Sequence, residues 1–308
     1  MRISRRIVLG ALCAALFLGA CGTGGDDDGG TADGGATTGA EAKGELTVGS
    51  DNFAESQIVA EMYAQVLENA GYEVSRELGI ESREIRLPAM ESGDIDIAPE
   101  YLASLLSVLD PESTPSGDPA EVAAELEPLL SEKGLRLLQY SDVVDTNAFV
   151  VTQETSDEFS LTAVSDLAPV AGDMTLGAPH ECPDRPFCIP GLKKVYGVEF
   201  GEFKALEYGA TITALSGGAI DVGLLFSTDG SIAENNFVVL EDDKSLQAAD
   251  NITPLVREDF PSEAIALIDA VTAALDTDTI TELNRRANVD VEDPADLARE
   301  FLENAGLL

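Results

Sequence analysis

From residue 45 onward the chain alternates short apolar runs with stretches whose apolar residues recur every three or four positions. These are the spacings of β-strands and amphipathic helices. Leu46, Thr47 and Val48 form a strand run that stops at Gly49-Ser50. Ile58, Val59, Met62, Tyr63, Val66 and Leu67 then share one helical face, with Gly71 as the stop. Asn52 with Glu55 three residues on has capping-box spacing. A strand over 72–76, a helix over 81–92 that Pro88 should disturb, a strand over 95–98 and a helix over 101–109 follow. This βαβαβ order predicts a parallel sheet with helices on both faces.

The turn-rich segment 111–119 leads to a helix over 122–130, a strand over 135–140, and a strand over 148–152 suited to crossing between lobes. A second α/β series comprises helices over 163–167, 192–196 and 211–215 and strands over 174–177, 203–206 and 220–226. Strands over 237–240 and 252–257 come next, the second suited to a return crossing, and helices over 262–274, 278–287 and 294–304 close the chain. The expected fold is therefore α/β and two-lobed, with parallel-rich sheets, flanking helices and a cleft between lobes that closes by hinge motion. Residues 45–146 with 253–308 form lobe 1, and 147–252 form lobe 2.

Residues 1–20 carry three Arg and no acid ahead of an apolar stretch from Ile7 to Leu18. That is a secretory signal, too short for a membrane span. Leu18-Gly19-Ala20-Cys21 resembles a lipobox, which makes Cys21 the lipidated first mature residue. Arg5-Arg6 is only a partial twin-arginine motif, so the general secretory route is favoured. In residues 22–44, nine of 23 are Gly, five are acidic and none is large and apolar, as in a flexible tether. Asp26-Asp27-Asp28 lacks the spacing and closing Glu of a calcium loop and reads as a solvated charge run. The chain is thus expected to be exported and lipid-anchored to the outer face of the bacterial cytoplasmic membrane.

Composition narrows the functions. The chain has 308 residues, 57 Asp and Glu against 18 Lys and Arg, and a formal net charge of -39. No basic face can be built to neutralise phosphates, so nucleic acid is excluded as a partner. With 44% hydrophobic residues, a core is affordable and disorder throughout is excluded. A lone His, no Ser-centred motif and no phosphate loop give no basis for an enzyme or a cofactor. Cys182 and Cys188, in an exported context, are expected to form a local disulfide. With His180 and Glu181 they make only a poor zinc set, so no metal is expected.

Several segments carry a resemblance: GSDNFAESQIVAEMYAQVLENAGYEV at 49–74, GDIDIAPEYLASLL at 93–106, RPFCIPGLKKVYGVEF at 185–200, IDVGLLFSTDG at 220–230, VVLEDDKSLQAADNITPLV at 238–256 and the stretch 276–302. In them the chain resembles the substrate-binding proteins of osmoprotectant importers of the ATP-binding-cassette (ABC) type, which have the periplasmic-binding-protein fold of type II and bind glycine betaine, choline and related quaternary ammonium solutes. The resemblance implies a monomer that delivers a small solute to a membrane permease driven by an ATPase. It also implies an aromatic cage, whose ring faces attract a cation that has no N–H to donate.

By that resemblance Tyr101 is a cage ring, Phe226 stands where relatives have Tyr, Arg185 binds a ligand carboxylate and Ser104 offers a hydroxyl in place of Thr. Asn147 and Ile212 stand where cage Tyr residues are usual, and Asp51 replaces a Lys or polar residue. Two rings remain, or three if Tyr140 or Tyr208 joins them. Asp51 would then favour a cation without a carboxylate, such as choline. Each residue also has a plainer reading: core packing for Tyr101 and Phe226, a structural ion pair for Arg185 and a helix cap for Asp51. Thr228, Asp229 and Gly230 read as a turn and helix start under the cleft, and Glu100 as a solvated or capping carboxylate. Two alternatives stay open, a binder of another small solute such as an amino acid or amine, and a cell-surface enzyme or adhesion module.

Overall fold

The structure is a computed structural model and describes residues 43–308. The signal, Cys21 and most of the tether lie outside the described residues. The order is β1 (Glu45–Asp51), α1 (Ala54–Asn69), β2 (Glu73–Ile80), α2 (Arg83–Ser92), β3 (Ile97–Tyr101), α3 (Leu102–Leu109), α4 (Pro119–Ser131), β4 (Leu135–Leu137), β5 (Asn147–Thr152) and α5 (Gln153–Phe159). Then come β6 (Thr175–Ala178), α6 (Ile189–Gly191), β7 (Glu202–Ala205), α7 (Tyr208–Ser216), β8 (Val222–Phe226), α8 (Ser231–Glu234), β9 (Phe237–Val239) and β10 (Ile252–Arg257). Helices α9 (Ser262–Ala274), α10 (Thr277–Asn288) and α11 (Pro294–Ala305) close the chain.

Two five-stranded sheets result, in orders β2-β1-β3-β10-β4 and β7-β6-β8-β5-β9. In each, three neighbouring strands run parallel and one antiparallel strand joins them to the sheet's edge. The two-residue side-chain period of a strand explains why helices cover both faces. On β5, Phe149 and Val151 enter one apolar cluster while Ala148 and Val150 enter another. On β10, Ile252 and Val256 face one cluster and Leu255 a second.

The chain crosses between the sheets just before β5 and returns just before β10, and these two crossings pair with each other. Asp145 N–H donates to the Asp250 carbonyl at 3.0 Å, and Ile252 N–H to the Val143 carbonyl at 3.1 Å. Strand β5 itself lies wholly inside the second sheet, so the expected crossing at 148–152 sits slightly earlier in the chain. A second junction forms where the turn after β8 meets α10. A Cβ on Gly230 would stand 2.3 Å from the Arg285 Cβ, so only glycine permits that approach.

Two local expectations change. Phe53, not Asn52, is the residue at the N-terminus of α1, and no side chain caps it. Ser56 Oγ instead accepts from the Asp51 N–H at 2.9 Å, which ties the end of β1 to the helix. Helix α2 runs through Pro88. The missing N–H leaves the carbonyl of Glu84 without its helical partner, and Glu84 is exposed to water.

Helix α2 is held by charge. Arg86 is fully buried; it donates from Nε and Nη2 to the two oxygens of Asp51 at 2.8 and 3.1 Å, and from Nη2 to Glu100 at 2.6 Å. Arg83 donates from Nε to both Glu100 oxygens at 2.8 and 3.0 Å. Burial alone would raise the Glu100 carboxyl, but the two guanidinium charges hold it down to about 2. Glu100 is therefore neither solvated nor a cap. Because its pKa is lowered on folding, its stabilisation is complete above the ordinary carboxylate range and is lost as pH falls toward 2. Replacing Arg86 by Ala takes the ion-pair partner from buried Asp51 and leaves Glu100 with Arg83 alone, and urea unfolding should show a loss of about 3–5 kcal/mol. A loss within experimental error would show that the network holds nothing.

Candidate functional site

The strands deliver their carboxyl ends to one crevice, the place where open α/β sheets bind ligands. Asp51 ends β1, Tyr101 ends β3, Phe226 ends β8, and the 179–188 segment follows β6. A cleft of about 160 Å³ opens among them.

Four rings converge there. Phe53 stands 5.2 Å from Phe226 and 5.9 Å from Tyr101, and Tyr208 stacks on Phe226 at 6.0 Å with the planes 6° apart. These separations are ordinary for packed aromatic pairs. Each ring comes from a different element: the start of α1, the end of β3, the start of α7 and the end of β8. Tyr101 Oη donates to Glu55 Oε1 at 2.8 Å, which fixes the ring's orientation.

The walls are acidic. Asp145 and Asp250 are buried and line the cleft. Asp250 accepts from Ser104 N–H at 2.9 Å and from Ser104 Oγ at 2.5 Å, yet burial still pushes it up to about 6. Asp145 accepts at Oδ1 from Thr228 N–H at 3.2 Å and from Ser227 Oγ at 3.3 Å, and burial with the neighbouring Glu55 raises it well above the carboxylate range. Neither has an ion-pair partner among the described residues. The two arginines of the lining are both engaged: Arg83 by Glu100, and Arg185 by Glu84 of α2, at 2.6 Å from Arg185 Nη2.

Of the residues expected from sequence, Asp51, Tyr101, Ser104, Asn147, Arg185 and Phe226 all line this cleft. Their local circumstances differ from the expectation in three cases. The charge of Asp51 is matched by Arg86, so it is not an open counter-charge for a ligand. The Ser104 hydroxyl is engaged by Asp250, and Asn147 Nδ2 donates to the Phe187 carbonyl at 3.2 Å. Ile212 lies outside the lining and packs beside the apolar cluster of Leu215 and Ile220. Tyr208 supplies a further ring, whereas Tyr140 packs against the cluster around α3 and α4. Cys182 and Cys188 are disulfide-bonded in the cleft wall. Joined in that bond, neither sulfur is a thiolate that could bind a metal.

Sequence reasoning did not single out Phe53, Asp145, Asp250 or Arg83. Phe53 had a usable signal, an aromatic between a strand end and a helix start. Asp145 and Asp250 had none, because nothing in two isolated acids shows that the crossings bring them together.

Comparison with known proteins now has a geometry to attach to. A glycine-betaine-binding protein of Pseudomonas aeruginosa is 29% identical over 277 residues, covering 85% of this chain and 88% of its own. A carnitine transport binding protein of Listeria monocytogenes is 27% identical over 303 residues, covering 95% and 93%. A crystal structure described as a glycine betaine/carnitine/choline ABC transporter superposes with a TM-score of 0.67 at 26% identity, covering 85% of this chain and 98% of that one. The family model for the substrate binding domain of the ABC-type glycine betaine transport system matches residues 44–304, and the chain belongs to that family.

Proposed function

We propose that this chain is the extracytoplasmic receptor of an ABC importer for a quaternary ammonium osmoprotectant of the choline or glycine betaine type. It is exported, held at the membrane by lipid on Cys21, and works as a monomer that presents its solute to a permease. The observation that carries this reading is the meeting of four rings with two buried, cation-free carboxylates in one cleft. Ring faces suit a cation without N–H groups, at about 0.5–2 kcal/mol each. A carboxylate about 4 Å from a cation, at an effective dielectric near 20, contributes about 4 kcal/mol. Acidic walls can therefore offset the cage rings replaced by Asn147 and Ile212. A ligand touching both lobes favours the closed form, since only a difference in affinity between two states shifts their balance.

The engaged arginines favour a net cation over a zwitterion. A ligand carboxylate must share Arg185 with Glu84 or Arg83 with Glu100, whereas choline need share neither. A second reading, a protonated amine, is favoured by the acceptor oxygens of Asp145 and Asp250, which a quaternary ammonium cannot satisfy with hydrogen bonds.

Titration calorimetry with choline, glycine betaine, carnitine, proline and a primary amine at moderate salt separates these readings. Choline should bind at least as tightly as glycine betaine; no heat with any quaternary ammonium would refute the proposal. Phe53→Ala and Tyr101→Ala should each weaken choline binding, Tyr101→Ala by more than about tenfold because Glu55 also loses one of its donors. Unchanged affinity in both would remove the rings from the site. Glu84→Gln should release Arg185 and raise glycine betaine affinity relative to choline by about two- to fivefold, the scale of an exposed ion pair. An unchanged ratio would show that Arg185 does not meet the ligand carboxylate.

A further inference from the structure

Beneath the rings, two buried carboxylates share one residue. Thr228 Oγ1 donates to Glu55 Oε2 at 2.5 Å, while its N–H donates to Asp145 Oδ1 at 3.2 Å. Glu55 and Asp145 also line one narrow void of about 10 Å³ together with Asp229 and Asn284. Glu55 starts at the head of α1, against the first sheet, and Thr228 follows the last strand residue of β8 in the second. The pair thus sits across the junction of the two lobes.

The donors are unequally shared. Glu55 receives three: Tyr101 Oη at 2.8 Å, Thr228 Oγ1 at 2.5 Å and Asn284 Nδ2 at 2.7 Å. Burial raises the Glu55 carboxyl, and these three donors work against burial by stabilising its ionised form. The hydrogen bonds to Asp145, from Ser227 Oγ and the Thr228 N–H, fall on Oδ1, and Oδ2 has no donor among the described residues. Charges around the pair give no relief. Asp229 comes from the turn after β8, Asp250 from the return crossing and Asp51 from the end of β1, and all three are acids. Arg83, from α2, acts on Asp250 and Glu100, and Arg86 balances Asp51. Tyr101 is held neutral by burial and remains a donor. Two like charges at such close quarters cannot both ionise readily.

We propose that Asp145 keeps a proton on Oδ2 in the ligand-free protein, that Glu55 is the ionised partner which both orients the Tyr101 ring and holds that proton in place, and that capture of a cation in the cleft expels it. No bond but the O–H of Asp145 breaks; the proton passes to bulk water through the cleft that Asp145 lines, and the carboxylate left behind balances the ligand charge. This rests on the reading of the site as a cation receptor. Glu55 is then a positioning residue, and Asp145 determines specificity for a net positive charge. The sign follows from linkage. Binding that releases a proton strengthens as pH rises, by up to about tenfold per pH unit while Asp145 titrates, and becomes pH-independent once it is ionised beforehand.

Two measurements test this, one without ligand. Isotope-edited infrared spectra of the ligand-free protein at pH 7.5, above the range of Asp229 and Asp250 at about 6, should show a protonated carboxyl carbonyl band. Asp145→Asn should abolish it, and Glu55→Gln should abolish it by removing the neighbouring charge. No such band in the wild-type chain, or a band that survives in both variants, overturns the proposal whatever the ligand proves to be. Calorimetry with choline at the same pH, in buffers of different ionisation enthalpy, should show up to about one proton released per choline bound by the wild-type chain and none by either variant. Proton release that persists in both variants overturns it too. If choline does not bind while the infrared band behaves as expected, the receptor reading fails and the proton assignment stands. Glu158→Gln, at an exposed position of α5 outside the cleft, serves as the control and should retain both signals.

Discussion

The buried Arg86 guanidinium is the contact on which the site's geometry depends. It takes a carboxylate from the end of β1 and another from the end of β3, and Arg83 closes the second from the side. Strand ends are otherwise free to splay, because the ladder no longer holds them. Here two charged hydrogen bonds to Asp51 and one to Glu100 fix them relative to α2. The consequence reaches the cleft directly: Phe53 lies two residues after Asp51, and Tyr101 follows Glu100. A buried pair of this kind is weak evidence for net stability, since desolvation opposes the attraction. Its value here is positional. It sets where two rings stand, and Glu100 takes up the Arg83 Nε beside it.

The cleft electrostatics follow from that arrangement. The chain's excess of acids is not a guide by itself, because surface potential is screened within about 8 Å at physiological salt. Inside the cleft, screening is poor, and what matters is which charges are matched. Asp51, Glu100 and Glu84 are matched by arginines. Asp145 and Asp250 have no such partner among the described residues, and both are buried. An unmatched buried carboxylate either keeps its proton or gains a cation. The lobes meet beside these groups, through Thr228 and Asn284 around Glu55.

Much of the architecture was legible beforehand for a plain reason. Apolar spacing is a local property, so the alternation of strands and helices from residue 45 onward could be read residue by residue. Where the reading slipped, a tertiary contact had overridden local chemistry. Asn52 has the composition of a cap, but Ser56 ties down the strand end and Phe53 takes the terminal position with its ring in the cleft. Pro88 should disturb α2, but the carbonyl it orphans belongs to an exposed residue, Glu84. The strand over 148–152 was apolar enough for any central position, and only pairing placed it between β8 and β9.

The sequence by itself determined the fold class, the family and six of the residues that line the cleft, because these rest on periodicity and on long ordered stretches of similarity. Tyr101, Phe226 and Arg185 were visible as types at characteristic places. Only the tertiary structure decided what each charge does. Whether Asp51 serves a ligand or an arginine depends on Arg86, which is 35 residues away. Whether Glu55 is a surface acid or the buried partner of Tyr101 depends on Asn284, at a separation of 229 residues. Charge acts through space and through burial, and neither distance nor burial is written in the order of residues.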